Sequence, residues 1–292
     1  MNMSRVSTCS IALIHHPPEK AFDIIAAAGY KKVDLLERLP HLSLLPNECD
    51  PAPLKVAAEA HGLQIANLAT YVGGGQEGRA AQWKYHGWQV PRPERFTVCG
   101  FSSDDPAELE RELEQVHRAI DLAVFFGARS IRVAAGDDTP ETLDKVAPWL
   151  KRCAEYAAEK NIIMGMENHS AGLSGQPKLC VELAEKVGSP FFGVLYEPHN
   201  LIHHSGTDYR AALEIMKEHV VHCHFKDGAP TASGEYGFTM MGEGVIDFPW
   251  IMEQLDAVGY EGDVALEYEV EEVPPEEGLK QFYEAFAAMM GC

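Results

Sequence analysis

Basic residues are scarce in this chain of 292 residues, which has 24 Lys and Arg against 44 Asp and Glu and a formal net charge of −20. No cluster of Lys or Arg interrupts this acidic balance. Such a chain is repelled by phosphate backbones and by anionic lipid surfaces. The sequence therefore argues against a nucleic-acid partner and against binding at a membrane surface.

Paired cysteines and long apolar runs are also missing. The seven cysteines are an odd number, lie far apart and include no C-x-x-C pair, which argues against a disulfide framework or a zinc ribbon. Nowhere do 18 apolar residues follow one another, and no long apolar region follows the amino terminus. We expect a soluble protein of the reducing cytoplasm.

What is present is a repeat of helix, glycine and apolar run. The clearest case is a helix predicted over 105–126, which ends at Gly127 before the apolar run from Ser130. Strands are predicted over 6–13, 33–37, 63–69, 130–134, 162–167, 192–197, 220–227 and 264–269, and helices over 19–28, 53–60, 105–126, 139–160, 176–187, 207–219, 248–258 and 277–290. This alternation indicates α/β architecture, a (β/α)₈ TIM barrel forming a single domain over residues 1–292.

One segment breaks the repeat. Residues 71–103 follow the third predicted strand and are rich in glycine, proline and aromatic residues. A loop of this length in a compact domain is usually functional or disordered. We interpret it as a long excursion at the rim of the barrel, serving as a lid or substrate wall with Trp83 and Trp88 at the carboxyl-terminal face. The alternative is a surface excursion with its own small hydrophobic cluster.

Four predicted strands end on an acidic residue or a histidine. These are Glu167, Glu197, the pair His222 and His224, and the pair Glu267 and Glu269. A charged group in a buried strand is costly unless it is paired, protonated or bound to a cation, and four such ends indicate a metal site. Strand alternation puts both members of each pair on one face, so the pattern alone does not choose between them. Pairing with an inward Arg132, or simple hydrogen bonding of the histidine, is the structural alternative.

Several motifs carry a family resemblance. They are Met166-Glu167-Asn168-His169, Glu197-Pro198-His199-Asn200, His222-Cys223-His224-Phe225-Lys226-Asp227, Gly242-Glu243-Gly244-Val245-Ile246-Asp247-Phe248 and Leu266-Glu267-Tyr268-Glu269. The chain resembles the xylose isomerase-like barrels, which include sugar phosphate isomerases and epimerases, inosose dehydratases and endonuclease IV. The resemblance implies that one divalent metal is bound by Glu167, Glu197, His224 and Glu267. The second ligand is usually Asp in these relatives and is Glu197 here, and Asn200 stands where epimerases often have histidine.

Oxygen and imidazole ligands without a thiolate suit Mn²⁺, Mg²⁺, Co²⁺ or Zn²⁺. Such an ion can polarise a ketone and acidify the neighbouring carbon-bound proton, and we expect Glu167 and Glu267 to act as the acid-base pair. Substrate contacts are expected from Arg132, His169, Asn200, His222 and Lys226. The leading hypothesis is a sugar isomerase or epimerase acting on a keto-sugar or related polyol through an enediolate.

Two other functions remain open on the sequence. A metal-dependent lyase of the inosose or dehydroshikimate dehydratase type would use the same metal and base. A sugar-binding subunit that keeps the barrel without turnover comes from another class, because fold does not fix function. The expected partner is a small sugar or polyol, and homo-oligomerisation is left open.

Overall fold

Eight parallel strands close into a barrel in which each strand pairs with two neighbours. The computed structural model describes residues 2–45, 47–74, 83–85, 88–90, 99–232 and 234–292, with only the backbone of 83–85 and 88–90. The strands are β1 (Val6–Cys9), β2 (Lys32–Leu36), β3 (Gln64–Ala69), β4 (Trp83–Tyr85), β5 (Trp88–Val90), β6 (Ser130–Val133), β7 (Ile163–Glu167), β8 (Phe192–Tyr196), β9 (Val220–Phe225), β10 (Asp227–Pro230), β11 (Tyr236–Thr239) and β12 (Val264–Leu266). The barrel order is β1, β2, β3, β6, β7, β8, β9 and β12, and β12 pairs with β1. The predicted TIM barrel is confirmed.

Helices follow the barrel strands. Within the described residues there are nine: α1 (Pro18–Ala27), α2 (Pro51–Ala60), α3 (Pro106–Phe126), α4 (Leu143–Lys160), α5 (Pro177–Val187), α6 (Pro198–Ser205), α7 (Tyr209–Met216), α8 (Phe248–Ala257) and α9 (Pro275–Met289). The longest, α3, begins where the Asp105 side chain accepts a hydrogen bond from the Ala107 backbone and ends at Gly127, whose φ is 74°. Carboxylate capping and a left-handed glycine are the expected signals for these two ends.

Two of the differences from the sequence prediction concern the ends of β1 and β8. The predicted strand over 6–13 ends at Cys9, and residues Ser10–Leu13 form a 3₁₀ helix in which Ser10 Oγ accepts a hydrogen bond from the Leu36 backbone at 2.9 Å. An additional helix, α6, starts directly after β8. Its eight residues are too short to show a clear helical period in the sequence. Both differences lie at the carboxyl ends of strands.

At the start of the segment that follows β3, the backbone packs closely against the segment that follows β6. Gly73 has a φ of 91°, and a Cβ added there would lie 2.3 Å from the Ala134 carbonyl oxygen, so only glycine fits. Further along, β4 and β5 pair antiparallel. The side chains of Trp83 and Trp88 are outside what the structure describes, so their place at the carboxyl-terminal face stays a prediction. None of the described helices is both long enough and apolar enough to cross a bilayer.

The strands are buried on both faces, as all residues of β1 and β8 show. Because all eight run parallel, their carboxyl ends meet at one end of the barrel, where catalytic groups gather in this fold. Glu167 ends β7, Glu197 and Glu267 directly follow β8 and β12, and His224 lies near the end of β9. The fold therefore brings the predicted strand-end residues to the same end.

Candidate active site

A pocket of about 480 Å³ opens at the carboxyl ends of the strands. Its walls include residues that follow each of the eight barrel strands. Several predicted site residues line it: Arg132, Glu167, His169, Asn200, Lys226 and Glu267. A cleft with converging ionisable groups at this end of a TIM barrel is the expected location of an active site.

The floor of the pocket rests on a triangle of three buried ligand atoms, of which those of Glu167 and Glu267 belong to lining residues and that of His224 lies beneath them. Nδ1 of His224 lies 3.5 Å from Oε1 of Glu167 and 3.6 Å from Oε1 of Glu267. This imidazole nitrogen is buried and makes no hydrogen bond. Burial alone would lower the pKa of His224, but the nearby carboxylates outweigh it and raise that pKa well above its usual range, so a metal must displace a proton from the ring. Donors that share one first-row ion at about 2.1 Å lie about 3.0 to 3.5 Å apart, close to these separations. The three side chains therefore fit a divalent metal, because one imidazole nitrogen and two carboxylate oxygens are directed at one point.

The second oxygen of each glutamate is bound by a cation. Oε2 of Glu167 accepts a hydrogen bond from Arg132 at 2.6 Å, and Oε2 of Glu267 accepts one from Lys226 at 2.6 Å. Burial alone would raise the pKa of Glu167, but the Arg132 guanidinium outweighs it and holds that pKa below its usual range. Burial alone would also raise the pKa of Glu267, but the Lys226 ammonium outweighs it and holds that pKa well below its usual range. Both glutamates are therefore ionised, as metal ligands and proton acceptors must be.

Glu197 is placed differently. Its carboxylate caps α6, accepting hydrogen bonds from the backbone N–H groups of His199 at 3.0 Å and Asn200 at 2.5 Å. Among the described residues, the set of ligand atoms close enough to share one ion includes Glu167, His224 and Glu267 but not Glu197. Burial raises the pKa of Glu197 to about 8. Both of its oxygens are bound by backbone amides and are directed at α6. The role of Glu197 as a metal ligand therefore stays a prediction.

We expect Glu197→Gln to weaken metal binding less than Glu167→Gln does. The glutamine can still accept one of the two backbone hydrogen bonds, and the three atoms around His224 are left intact. Loss of a capping contact typically costs about 1 kcal/mol of stability, so a modest decrease in melting temperature should accompany it. Calorimetric titration of both metal-free variants with Mn²⁺ measures the comparison. Equal losses of affinity would make Glu197 a full ligand.

The remaining predicted contacts divide into two groups. Asn200 lines the pocket, with Nδ2 3.5 Å from Oε1 of Glu167. His169 lines it as well, and burial lowers its pKa, so it is a neutral imidazole able to hydrogen-bond a sugar hydroxyl. His222 does not belong to the lining. It lies beneath the pocket because its Nε2 is bound to Oδ2 of Asp34 at 2.7 Å.

Sequence reasoning missed Asp34, which lies in the middle of β2 and is fully buried. The signal was present, since Asp34 is an acidic residue inside the apolar run Val33-Asp34-Leu35. It also missed part of the pocket wall, formed by His203 and His204 of α6. No pattern in the sequence indicates that α6 faces this cavity.

The chain is thus a parallel eight-stranded barrel whose carboxyl end holds buried carboxylates and an imidazole that could bind a metal. The chain matches the family described as xylose isomerase-like TIM barrel over residues 22–289. It belongs to this family, which confirms the resemblance drawn from the sequence.

The sequence identity to individual relatives is low. The L-ribulose-5-phosphate 3-epimerase UlaE of Shigella sonnei (strain Ss046) is 29% identical over 187 residues, which cover 61% of this chain and 64% of UlaE. The chain thus spans just under two thirds of the length of this curated relative. A solved L-ribulose 3-epimerase superposes with a TM-score of 0.74 at 16% identity, covering 98% of this chain and 94% of the other. The 3-keto-D-glucoside 4-epimerase YcjR of E. coli gives a TM-score of 0.69 at 15% identity and 99% coverage of both chains.

Proposed function

We propose that this protein is a divalent-metal-dependent sugar epimerase that inverts a carbon next to a ketone by removing and returning its proton. The observation that carries the proposal is the triangle of Glu167, His224 and Glu267 at the floor of the pocket, with both glutamates ionised. The named relatives support it, because C3 of ribulose and C4 of a 3-keto-glucoside are both adjacent to a ketone carbon.

Glu167, His224 and Glu267 would hold the metal, with Mn²⁺, Mg²⁺, Co²⁺ or Zn²⁺ suited to this donor set. When bound, the dication supplies Lewis-acid polarisation of the substrate ketone, which acidifies the adjacent C–H group. A carboxylate whose pKa is held below its usual range is a weak base. Proton removal by Glu167 or Glu267 therefore requires a substrate proton that has been acidified in this way.

The other lining residues bind and orient the substrate. Glu167 and Glu267 lie at the ends of different strands, so a substrate carbon above the triangle can lose its proton to one carboxylate. The proton returned on the opposite face comes from the other carboxyl group after that group has taken one from solvent, and the first carboxyl group then releases its proton to solvent. Arg132 and Lys226 keep these carboxylates ionised through contacts of 2.6 Å each. Asn200 and His169 supply neutral hydrogen-bonding groups in the lining of the pocket.

Proton exchange in D₂O tests this function. The Mn²⁺-reconstituted protein is incubated with a panel of ketoses, their phosphates and 3-keto-glycosides, quenched, and freed of metal before ¹H and ¹³C NMR. We expect deuterium at the carbon next to the ketone together with a new diastereomer. Metal-free protein is the matched control.

Two outcomes would assign a different function. Exchange accompanied by loss of water and a new unsaturated product would make the protein a lyase. Tight binding of a sugar without any exchange would make it a sugar-binding protein that has no turnover.

A further inference from the structure

We infer that Asp34 is a positioning residue that holds His224 in the orientation and tautomer in which Nδ1 can bind the metal. The inference rests on the metal site of the proposed function and adds a residue outside the ligand set. His224 has two ring nitrogens, and only the one without a proton can bind an ion. A carboxylate that accepts a hydrogen bond from one ring nitrogen keeps the proton there and leaves the other nitrogen free to bind the ion.

The geometry at Nε2 gives Asp34 this role. Oδ2 of Asp34 lies 3.3 Å from Nε2 of His224, on the side of the ring opposite the two glutamates. When Nε2 carries the proton, its N–H group donates a hydrogen bond to this carboxylate. In that neutral tautomer, the lone pair of Nδ1 is directed toward Glu167 and Glu267. Nδ1, which lies 3.5 and 3.6 Å from the two glutamates, is then the ring nitrogen at which an ion can take the place of a proton.

Asp34 is itself held in place. Its Oδ1 accepts a hydrogen bond from Ser7 Oγ at 2.6 Å, and its Oδ2 also contacts His222 Nε2 at 2.7 Å. Asp34, Ser7 and His224 are fully buried, and His222 is 2% exposed. A buried carboxylate is costly unless its oxygens are bound, and here both are. β1, β2 and β9 thus form a rigid support beneath the metal-competent triangle.

The support can be removed without touching the three ligands. Asp34→Asn keeps the volume and shape of the side chain but removes the charge that favours a proton on Nε2. Ser7→Ala is the matched control, because it deletes one buried hydrogen bond to the same carboxylate and leaves the contact with His224. His222→Gln is a second control on the same oxygen.

Metal affinity without substrate is the first readout. Calorimetric titration of the metal-free proteins with Mn²⁺ should show a loss of roughly 10- to 100-fold for Asp34→Asn. We expect Ser7→Ala and His222→Gln to stay within about threefold of wild type by the same reasoning. Circular dichroism confirms that each variant is folded. A folded Asp34→Asn that binds metal as tightly as wild type would overturn the inference.

The tautomer of the unmodified protein is the second readout and needs no variant. With ¹⁵N-labelled histidine and bound Zn²⁺, long-range ¹H–¹⁵N spectra should show His224 protonated at Nε2 and metal-bound at Nδ1, with His224→Gln used for assignment. Metal on Nε2 would overturn the inference.

The stoichiometry of the same titration tests another arrangement. Ligand atoms of Asp34, His222 and His224 also lie close enough together to hold an ion. Two ions per chain would make Asp34 a ligand and overturn its positioning role, whereas one ion per chain supports it. A wild-type protein that binds no divalent ion overturns the metal site and the proposed function together. Loss of affinity in Asp34→Asn by a protein inactive on every sugar supports this inference while the proposed function fails.

Discussion

Replacing Glu267 with glutamine should lower turnover by about a hundredfold or more, even when metal is saturating. The amide keeps an oxygen toward His224 but cannot accept a proton from the substrate. It also loses the charge that Lys226 binds at 2.6 Å, so the buried ammonium keeps only its longer contact with Glu269 at 3.4 Å. Glu167→Gln should behave similarly, because it leaves Arg132 without its carboxylate partner.

Glu269→Gln is the matched control for these two variants. Oε1 of Glu269 lies 3.4 Å from Nζ of the same lysine, and Glu269 also lines the pocket. It does not belong to the group of ligand atoms around His224. We expect its turnover to remain within about tenfold of wild type, which separates loss of a base from loss of a charge near Lys226. Wild-type turnover in Glu267→Gln with metal saturating would show that Glu267 is not the base.

The sequence predicts this site because buried charges at strand ends are readable as a pattern. Parallel strands are apolar on both faces, so Glu167 and Glu267 stand out where they occur. The sequence pattern does not show which of His222 and His224 is the metal ligand. Both residues share one face of β9, and only a side chain from another strand distinguishes them. Asp34 contacts Nε2 of both rings, and His224 differs in that its Nδ1 lies 3.5 and 3.6 Å from the two glutamates.

The cap at α6 is a second case that depends on three-dimensional context. Pro198 at the first helical position and an acidic residue before it are recognisable start signals. The sequence prediction nevertheless assigns Glu197 only to the metal, because the resemblance places it at the position of a ligand. Whether a carboxylate binds an ion or its own helix depends on the direction of the side chain. The extra methylene of Glu relative to Asp changes that direction.

Removing the metal with a chelator should abolish turnover, and returning one equivalent should restore it in the wild type but not in His224→Gln. The variant loses the Nδ1 atom that lies 3.5 and 3.6 Å from the two glutamates. Without it, Glu167 and Glu267 face each other across the gap with no imidazole between them. We expect His224→Gln to need on the order of a hundredfold more metal.

Thermal unfolding provides an independent readout of this prediction. A ligand that binds only the folded state stabilises it by about 2.7 kcal/mol at 100 times its Kd, which raises the melting temperature of a protein of this size by about 5 °C or more. The wild type and His222→Gln should show this increase on addition of Mn²⁺, and His224→Gln should not at the same concentration. His222 is the suitable control because it lies on the same face of β9 and touches the same Asp34 oxygen, but has no contact with the glutamates. Full turnover in the chelated wild type, with no thermal shift in any variant, would mean that the buried glutamates act without a metal.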